Sequence, residues 1–431
     1  MQKNLIKNFD ELATTENRKM ILEIAGAGLS AINTENVVLN SIKLEGNILS
    51  VKGENFDLSK YKNIKVVGFG KSSGEAGLAL EKILSSKIKT GAVVGLSKVD
   101  CQYIETFAGT HPRPSFQNFE AGKKIYEIVK DSTEEDLIIV LVSGGGSALL
   151  CYPENEYIQG TKLYEAFLGT GKTISEMNTV RKHLSLLKGG GLAKIAYPAT
   201  VIGLIFSDVP GDNFSNVASG ATYKDETTVV LAEKIIQENN LGEFDLNETP
   251  KEDKYFEKVH NFVLVSNKTA VEAMAKKAQE LNLKASIVST DLYDETSIAI
   301  KKISSARQDL AEDSVVLAAG EPSVIVPKNS GKGGRNLHMA LSVVKEKIIE
   351  KEDFKNSVFI ALASDGMDNS DSAGAIVDQK TLEKIKNLNL DVNDYFYRFD
   401  SYSFFQKTGD MIITGPTGAN VSDLMILLNK K

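Results

Sequence analysis

The sequence predicts an α/β protein of two domains, each built on a mainly parallel sheet flanked by helices. Apolar runs of strand length alternate with helical patterns, which is the order of βαβ units. The runs are continuously apolar, as expected for strands buried on both faces of a parallel sheet. The polar, acidic stretch from Asn239 to Lys258 is the best linker candidate. We therefore predict a dinucleotide-fold-like domain over residues 1–240 and a second α/β domain over residues 241–431.

The individual elements follow from the same patterns in chain order. Leu5–Ile32 predicts one or two helices ahead of the first strand. The apolar runs predicted as strands are Ile64–Gly70, Ala92–Leu96, Leu137–Val142, Ala199–Phe206, Phe262–Val265, Ala285–Val288, Val315–Ala319, Val358–Ala363 and Met411–Ile413. The helical patterns between them are Gly74–Leu84, Asn118–Lys130, Thr228–Glu238, Thr269–Leu281, Glu295–Leu310 and Asn336–Ile349.

Composition excludes several classes of protein. A chain of 431 residues with 42% hydrophobic and 25% charged residues can bury a substantial core, which excludes intrinsic disorder. A formal net charge of −7 disfavours a non-specific nucleic-acid binder. No apolar run approaches the roughly 18–20 residues of a membrane span. The two cysteines cannot form a disulfide framework in a chain this long, so we expect a cytoplasmic protein.

Ligands of open α/β sheets bind beyond the carboxyl ends of the strands, so the loops after the apolar runs are the candidate site. The first, GFGKSSG over Gly68–Gly74, combines a glycine turn with the cation of Lys71. Glycines let the backbone approach an anion, and a helix N-terminus favours negative charge. The spacing is one residue longer than the dinucleotide fingerprint, so a plain turn with a surface lysine is the alternative.

The second loop places three consecutive glycines after a buried strand, in Ser143-Gly144-Gly145-Gly146-Ser147. Glycine has the largest entropic cost on folding, so a run of three needs a compensating benefit. A nest of backbone amides around an anion supplies that benefit. We therefore predict an anion-binding loop here.

A basic cluster and an aspartate follow in the same half of the chain. Arg181, Lys182, His183 and Lys188 fall within eight positions, next to a glycine run. Such a cluster suits phosphate or carboxylate, and a solvated helix face is the alternative. Arg181 is the member that we select. Asp208, directly after an apolar run, suits Mg²⁺, which takes one or two carboxylates plus phosphate oxygens.

The C-terminal half contributes three further loops. Glu321 follows the apolar run 315–319, and the loop Asn329–Asn336 carries Lys332 and Arg335 among glycines. This loop predicts a polyphosphate-binding segment, with a plain linker as the alternative. Asp365 opens a stretch with three aspartates in seven positions, which suggests a metal or general-base site or, alternatively, a turn rich in Asp and Asn. Thr414–Asn420 follows the last predicted strand.

Two apparent motifs are rejected. Gly169–Thr173 resembles the end of a P-loop, but Ala166 stands where the first glycine belongs. The four histidines lack metal-ligand spacing. His111, in Thr110–Pro114, is expected to form a structural turn that borders the cleft.

The combined inventory of anion nests, cations and aspartates matches phosphoryl transfer, which needs positioning, charge neutralisation and Mg²⁺. Hydride transfer matches less well. A nicotinamide enzyme needs an acidic residue at the end of the second strand, and Asp100 comes late for that position.

In this order the motifs resemble the class II glycerate kinases, the glycerate 2-kinase family whose C-terminal part is called the MOFRL domain. The resemblance extends from about residue 20 to the C-terminus. It is carried by Gly68–Gly74 (GFGKSSG), Thr110–Pro114 (THPRP), Ser143–Leu149 (SGGGSAL), Asn178–Gly190 (NTVRKHLSLLKGG), Ser207–Asp212 (SDVPGD), Gly320–Glu321, Gly331–Asn336 (GKGGRN), Ser364–Gly366 (SDG) and Thr414–Val421 (TGPTGANV).

The resemblance implies an active site in a cleft between two α/β domains. It implies ATP and a divalent metal, usually Mg²⁺, with D-glycerate phosphorylated at its 2-hydroxyl. Lys71 and Arg181 fall on the family's lysine and arginine positions and are implied to be catalytic; from our own loop analysis we add Asp208. We expect ATP at Gly70, Ser143, Gly144, Gly145, Gly146, Ser147, Glu321, Lys332, Gly333, Gly334, Arg335, Asn336 and Asp365, and the metal at Asp208 and Asp365.

Four positions depart from residues common in the family, and they lie in the anion-facing loops. They are Gly191, Ala221, Lys332 and Ser364. A kinase of a related sugar acid therefore stays an alternative. The GFGKSSG turn keeps an NAD(P)H-dependent hydroxypyruvate reductase as a second alternative. The expected partners are glycerate and ATP, without nucleic acid or membrane, and a homodimer is a candidate assembly.

Overall fold

The structure is a computed structural model that describes residues 5–167, 174–209, 214–308, 313–348 and 356–430. The chain divides into two compact units. The parallel-sheet unit is Thr34–Val265, and the mixed-sheet unit combines Met1–Asn33 with Ser266–Lys431. The predicted two-domain α/β class is confirmed. The division differs from the predicted ranges 1–240 and 241–431, since it falls after Val265 and assigns the N-terminal segment to the mixed-sheet unit.

The N-terminal segment joins the mixed-sheet unit through packing and through a buried charge. It forms helices α1 (Phe9–Leu12) and α2 (Glu16–Ala31). Thr15 caps α2 by accepting the N–H of Arg18. The Arg18 guanidinium is fully buried and pairs with Asp378 at 2.7 Å and Asp410 at 2.9 Å. A buried cation requires such partners, so these aspartates fix α2 within the unit.

The parallel-sheet unit contains a six-stranded parallel sheet and a small antiparallel sheet. Its elements are α3 (Thr34–Ser41), β1 (Ile42–Glu45), β2 (Ile48–Val51), β3 (Glu54–Asp57), β4 (Asn63–Phe69), α4 (Ser73–Leu84), β5 (Ile88–Gly95), β6 (Glu105–Ala108), α5 (Phe116–Val129), β7 (Asp136–Ser143), α6 (Gly146–Leu149), α7 (Glu154–Phe167), α8 (Ile174–Leu184), α9 (Gly191–Ala196), β8 (Thr200–Phe206), α10 (Val229–Glu238) and β9 (Val259–Val265).

The order of the large sheet, β6-β5-β4-β7-β8-β9, places a topological switch point between β4 and β7. The chain leaves β4 toward β5 and β6, and then returns to β7 on the other side of β4. All neighbouring pairs in this sheet are parallel. The loops after β4 and β7 therefore flank the crevice in which open α/β sheets bind ligands.

Helices cover both faces of the large sheet, which explains its continuous apolar runs. Val67 and Val140 lie on the face that packs against α5 and α9. On the opposite face, Gly77 of α4 approaches Val93 and Leu141. The prediction missed β1–β3 and β6, because each has only four residues and is partly exposed.

The mixed-sheet unit contains the remaining elements. They are α11 (Asn267–Glu280), β10 (Lys284–Leu292), α12 (Thr296–Gln308), β11 (Ser314–Gly320), α13 (Arg335–Lys345), β12 (Val358–Ala363), β13 (Gly374–Val377), α14 (Gln379–Leu388), α15 (Val392–Tyr397), α16 (Ser401–Thr408), β14 (Met411–Ile412) and β15 (Asp423–Asn429). The ends of the predicted helices Glu295–Leu310 and Asn336–Ile349 lie outside the described residues.

The prediction of a mainly parallel second sheet is wrong. Its order is β10-β11-β15-β12-β13-β14, and only β10 and β11 pair in parallel. The ten residues 364–373 join β12 to β13, and this connection is too short for a parallel crossover. Buried strands are apolar in either direction, so the runs carried no signal of orientation. The last predicted strand, Met411–Ile413, corresponds to edge strand β14, whereas the unpredicted β15 lies inside the sheet.

Among the described helices, none is long and apolar enough to cross a membrane. Both cysteines, Cys101 and Cys151, are free thiols.

Candidate active site

Two glycine loops of the parallel-sheet unit meet at the switch point. The backbone N–H of Lys71, after β4, donates to the carbonyl of Gly144, after β7, at 2.8 Å. The N–H of Ser72 donates to Ser143 Oγ at 3.1 Å. These hydrogen bonds lock the predicted GFGKSSG and SGGGSAL motifs together at the sheet edge where ligands bind.

Glycine is required at Gly70 and Gly144 because the loops approach so closely. Gly70 has a φ of +117°, and a Cβ there would overlap the carbonyl oxygen of Ser143. A Cβ on Gly144 would overlap the carboxylate of Asp208. The half-buried Asp208 side chain, after β8, is therefore seated directly on the glycine loop.

The third glycine is bordered by two side chains. A Cβ on Gly145 would lie 3.1 Å from Lys71 Cγ, 3.2 Å from His111 Cδ2 and 3.4 Å from His111 Nε2. Gly145 also precedes α6, whose first N–H groups have no partner within the helix. Lys71 and His111 thus stand beside backbone donors at one end of the sheet.

Arg181 is the unneutralised member of the basic cluster. Its Nη1 donates to Asn178 Oδ1 at 3.3 Å, and no carboxylate of the described residues pairs with it. Burial lowers the pKa of the guanidinium from its ordinary value. The side chain lines a small cavity with Ser147 and Cys151.

The other three cations of the cluster are structural, and a solvated helix face is not what forms. Lys182 is buried and pairs with Asp225 at 3.0 Å. Lys188, only 1% exposed, pairs with Glu156. His183 is fully buried and bonds to the backbone of α8. Of the four, Arg181 is thus the one that forms no ion pair with a described carboxylate, although Glu156 acts on it electrostatically.

His111 also lies beside the glycine loop, whereas the sequence predicts it only in a structural turn that borders the cleft. Burial, together with the charges of Lys71 and Arg181, lowers its pKa to about 4. The three side chains therefore lie within electrostatic reach of one another. The residue is nevertheless partly open to solvent, while one edge of its ring lies beside Gly145.

Asn118 holds the His111 loop against the glycine loop, and sequence analysis also missed it. Its Oδ1 accepts hydrogen bonds from Thr110 N–H at 2.8 Å and from Ser115 Oγ at 2.9 Å. Its Nδ2 donates to the carbonyls of Thr110 at 2.9 Å and Ala148 at 2.8 Å. Nothing in the sequence distinguishes this fully buried amide from an ordinary polar residue at a helix start.

The predicted phosphate loop of the mixed-sheet unit has a different construction. The glycines at 331 and 334 let this loop pack on the protein itself, since a Cβ would crowd Asp400 at the first and overlap Asp368 at the second. The loop is also tied by the N–H of Gly331 to Arg398 O at 2.8 Å. The Lys332 ammonium is exposed, 3.8 Å from Asp371 and above the ring of Tyr402.

Arg335 is held by carboxylates of its own unit. It pairs with Asp423, which is 2% exposed, and with Glu321 at 3.2 Å. Burial opposes the charge of Arg335, but these two carboxylates outweigh burial and raise its pKa. Burial raises the pKa of Asp423 to about 7 despite that partner. Sequence analysis missed Asp423, because it lies in the unpredicted strand β15.

Two aspartates after β12, Asp365 and Asp368, accept hydrogen bonds from different parts of the backbone. Asp365 Oδ1 accepts the N–H of Met367 at 3.0 Å, the alternative turn role predicted for this stretch. Asp368 is buried and accepts the N–H groups of Asn336 at 3.1 Å and Leu337 at 2.8 Å, so it caps α13. Within the described ranges, no three His, Cys, Asp or Glu side chains are grouped to hold a metal.

Two sequence features fall outside the described residues. The rejected P-loop segment Gly169–Thr173 is one of them. The other is the end of the SDVPGD motif, including Asp212.

Known proteins resemble this chain over most of its length. Two family models match it: a domain of unknown function (DUF4147) over residues 20–247 and the MOFRL family over residues 314–423. A Pyrococcus horikoshii protein named glycerate 2-kinase is 34% identical over 95% of this chain and 97% of its own length. An Agrobacterium vitis protein named putative hydroxypyruvate reductase is 34% identical over 84% of this chain and 86% of its own length.

The comparison of structures agrees. A crystal structure of glycerate kinase from Thermotoga maritima matches 95% of this chain and 99% of its own, with a TM-score of 0.83 and 30% identity. The resemblance predicted from the motifs is confirmed. The chain belongs to the glycerate 2-kinase family, with a MOFRL domain in its C-terminal half.

Proposed function

We propose that this protein transfers the γ-phosphoryl group of ATP to the 2-hydroxyl of D-glycerate, giving 2-phosphoglycerate and ADP. The carrying observation is the loop cluster at the switch point, where Lys71 stands beside Gly144 and Gly145 and Arg181 lines a small cavity with Ser147 of the same glycine loop. Phosphoryl transfer needs mainly positioning and electrostatic stabilisation of the phosphoryl oxygens. Two cations and a row of backbone donors supply these, and family membership supports glycerate as the acceptor.

Each side chain of the cluster receives a role in this proposal. Lys71 and Arg181 neutralise the substrate carboxylate and the transferring phosphoryl group. The backbone of Gly70 and of Ser143–Ser147 binds phosphate oxygens through its N–H groups. The Asp208 carboxylate contacts the glycine loop at Gly144 and so borders the proposed phosphate site, which supports a metal-bound phosphate at this position.

The residues present fit Mg²⁺ that arrives with the nucleotide. A single half-buried carboxylate, Asp208, stands beside the loop, and Mg²⁺ commonly takes one or two protein carboxylates plus phosphate oxygens and water. When bound, the metal neutralises phosphate charge. We assign Asp208 as its primary protein ligand and keep Asp365 as the second candidate.

For the mixed-sheet unit we propose nucleotide binding by Glu321, Lys332, Gly333, Gly334, Arg335, Asn336 and Asp365. Lys332 is the best-supported member, because its ammonium is exposed and only weakly paired. Arg335 is less available, since Asp423 and Glu321 already compensate its charge.

A related sugar-acid kinase remains a second candidate, motivated by the loop departures at Gly191, Ala221, Lys332 and Ser364. We do not propose the reductase. Asp100 is exposed and lies five residues beyond the end of β5, whereas a dinucleotide fold needs its acidic residue at the strand end. What else favours that alternative is the GFGKSSG turn, which is one residue longer than the dinucleotide fingerprint, and the name of a relative.

The test is an assay of ADP formation with ATP, Mg²⁺ and D-glycerate, run beside a panel of longer hydroxy acids. We expect D-glycerate to give the highest kcat/KM. A folded sample that forms no ADP with any acid refutes the kinase, and a higher kcat/KM for a longer acid assigns the substrate to the second candidate. Adding hydroxypyruvate and NADPH to the same sample should give no change at the reduced-nicotinamide band.

We also propose that the protein works in the cytoplasm as a homodimer. The two free thiols support a reducing compartment. Light scattering of the purified protein tests the dimer, and a monomeric mass at assay concentration contradicts it.

A further inference from the structure

We propose that His111 is a catalytic residue, whose Nε2 accepts the proton of the substrate hydroxyl during phosphoryl transfer. The inference rests on the proposed function and extends it, because the cations Lys71 and Arg181 cannot take up that proton. When a phosphoryl group is transferred to an alcohol, the hydroxyl proton must leave, and a positioned side chain commonly accepts it.

The position of the ring supports this role. The edge that carries Nε2 and Cδ2 faces Gly145, at the same place where Lys71 Cγ approaches that glycine. Arg181 is close enough to act on the ring electrostatically. A hydroxy acid bound by Lys71 beside Gly145 is therefore brought next to the imidazole. In the described structure, no hydrogen bond from the protein occupies either ring nitrogen.

The loop that carries His111 is held in place by the glycine loop. Through its buried amide, Asn118 bonds to both backbone groups of Thr110, the residue before His111, and to Ala148 of α6. Thr110 Oγ1 donates to Arg113 O at 2.7 Å and closes the loop on the other side of His111. Such bonding makes Asn118 a positioning residue: it sets the imidazole relative to the phosphate-binding backbone.

The electrostatics favour a base that becomes stronger when the substrates are bound. Burial and two cations keep the imidazole neutral in the free enzyme, with a pKa of about 4. An anionic carboxylate and the phosphoryl oxygens offset those cations, which makes protonation of the ring less costly in the complex. The imidazole therefore enters the substrate complex unprotonated at neutral pH, and in that complex it can accept a proton.

The step balances without a further reactant. The 2-hydroxyl oxygen forms a bond to the γ-phosphorus, while its proton moves to Nε2 of the tautomer that carries hydrogen on Nδ1. The bond between the γ-phosphorus and the bridging oxygen breaks, and ADP keeps that electron pair. The imidazolium afterwards releases its proton to solvent.

The test compares His111→Ala and His111→Gln with the wild type in the ADP assay. His260→Ala is the matched control, because His260 is also partly exposed but lies in β9, where it pairs with Glu54 of β3 at 2.8 Å. We expect His111→Ala to lose about a hundredfold or more in kcat, the usual range for proton transfer, with a much smaller change in KM for ATP. His111→Gln should be equally slow, because an amide does not take up the proton.

Added imidazole separates a proton acceptor from a structural residue. It should raise kcat of His111→Ala in a saturable manner and leave His260→Ala and the wild type unchanged. The proposal is overturned if His111→Ala keeps kcat within about threefold of wild type, if His111→Gln is as fast as wild type, or if imidazole restores nothing. A wild type that makes no ADP overturns the kinase together with this role, whereas an active wild type with a fully active His111→Ala overturns this role alone.

Discussion

The switch-point loops of the parallel-sheet unit and the 331–336 loop of the mixed-sheet unit share one sequence signature and differ in construction. Both combine glycines with cations at the entrance to a helix. In the first, neither Lys71 nor Arg181 of α8, which lines a cavity with Ser147 of these loops, forms an ion pair with a carboxylate of the described residues. In the second, Arg335 is bound by Asp423 and Glu321. A glycine–cation motif therefore predicts a loop whose backbone packs closely on its surroundings. Whether the charge of the cation is available to a ligand depends on the carboxylates around it.

The largest expected effect is the loss of activity in Lys71→Ala and Arg181→Ala. Each should lower kcat by about 10³-fold, because in the proposed mechanism each supplies a charge that stabilises the transition state. Thermal unfolding of both variants should stay near that of the wild type. Lys89→Ala, at an exposed position of β5, is the control and should keep full activity. Retained activity in either variant refutes the role of that cation.

The second prediction concerns stability in the other loop. Arg335→Ala should lower the free energy of unfolding by about 2 kcal/mol, because it leaves the buried Asp423 carboxylate unpaired; partial exposure of Arg335 keeps the value below that of a fully buried pair. Adding Asp423→Asn should restore part of the loss. Chemical denaturation measures both. An Arg335→Ala variant as stable as the wild type would mean that Asp423 does not depend on this pair.

The third prediction tests how the His111 loop is positioned. Asn118→Ala leaves the buried carbonyl of Ala148 and the part-buried carbonyl of Thr110 without their donor, so it should cost about 1–3 kcal/mol of stability. If His111 is misplaced as a result, kcat should also fall by about tenfold while the KM for ATP changes little. Gln117→Ala, next to it and exposed, is the control. Unchanged kcat in a folded Asn118→Ala would separate Asn118 from catalysis.

The smallest expected effect belongs to Lys332. Lys332→Ala should raise the KM for ATP by about threefold to tenfold with kcat unchanged, since one exposed charge contributes about 1 kcal/mol to binding. Lys328→Ala lies in the same exposed loop and should leave both constants as they are. Equal KM values in the two variants would remove Lys332 from the nucleotide site.

Strand prediction worked where strands are buried on both faces and failed elsewhere. Val358–Ala363 matches β12 residue for residue. The strands at β1–β3 are short and partly exposed, so their apolar content is too low to mark them. β15 is apolar and buried, but it follows a turn region close to the C-terminus and was left out. Strand direction was beyond prediction, because it depends on which connections are short.

Site residues, like strands, are predictable where a local sequence pattern marks them and not where they depend on distant contacts. Lys71 and Asp208 were selected from their place after a strand, and Arg181 from its cluster. The sequence does not predict the roles proposed for His111 and Asn118, because these roles depend on contacts with residues distant in sequence: Gly145 for the first and Ala148 for the second. Arg335 and Asp423 likewise form a pair across 88 positions, which no local pattern indicates.

Phosphorus NMR of the product made from ATP and D-glycerate tests the central claim most directly. A phosphoryl group on the 2-hydroxyl is coupled to one proton, on the carbon that bears it, and appears as a doublet. A group on the 3-hydroxyl is coupled to two protons and appears as a triplet. We predict the doublet of 2-phosphoglycerate, absent without protein and lost in Lys71→Ala. A triplet, or no phosphorylated glycerate from a folded and active-site-intact sample, would contradict the account.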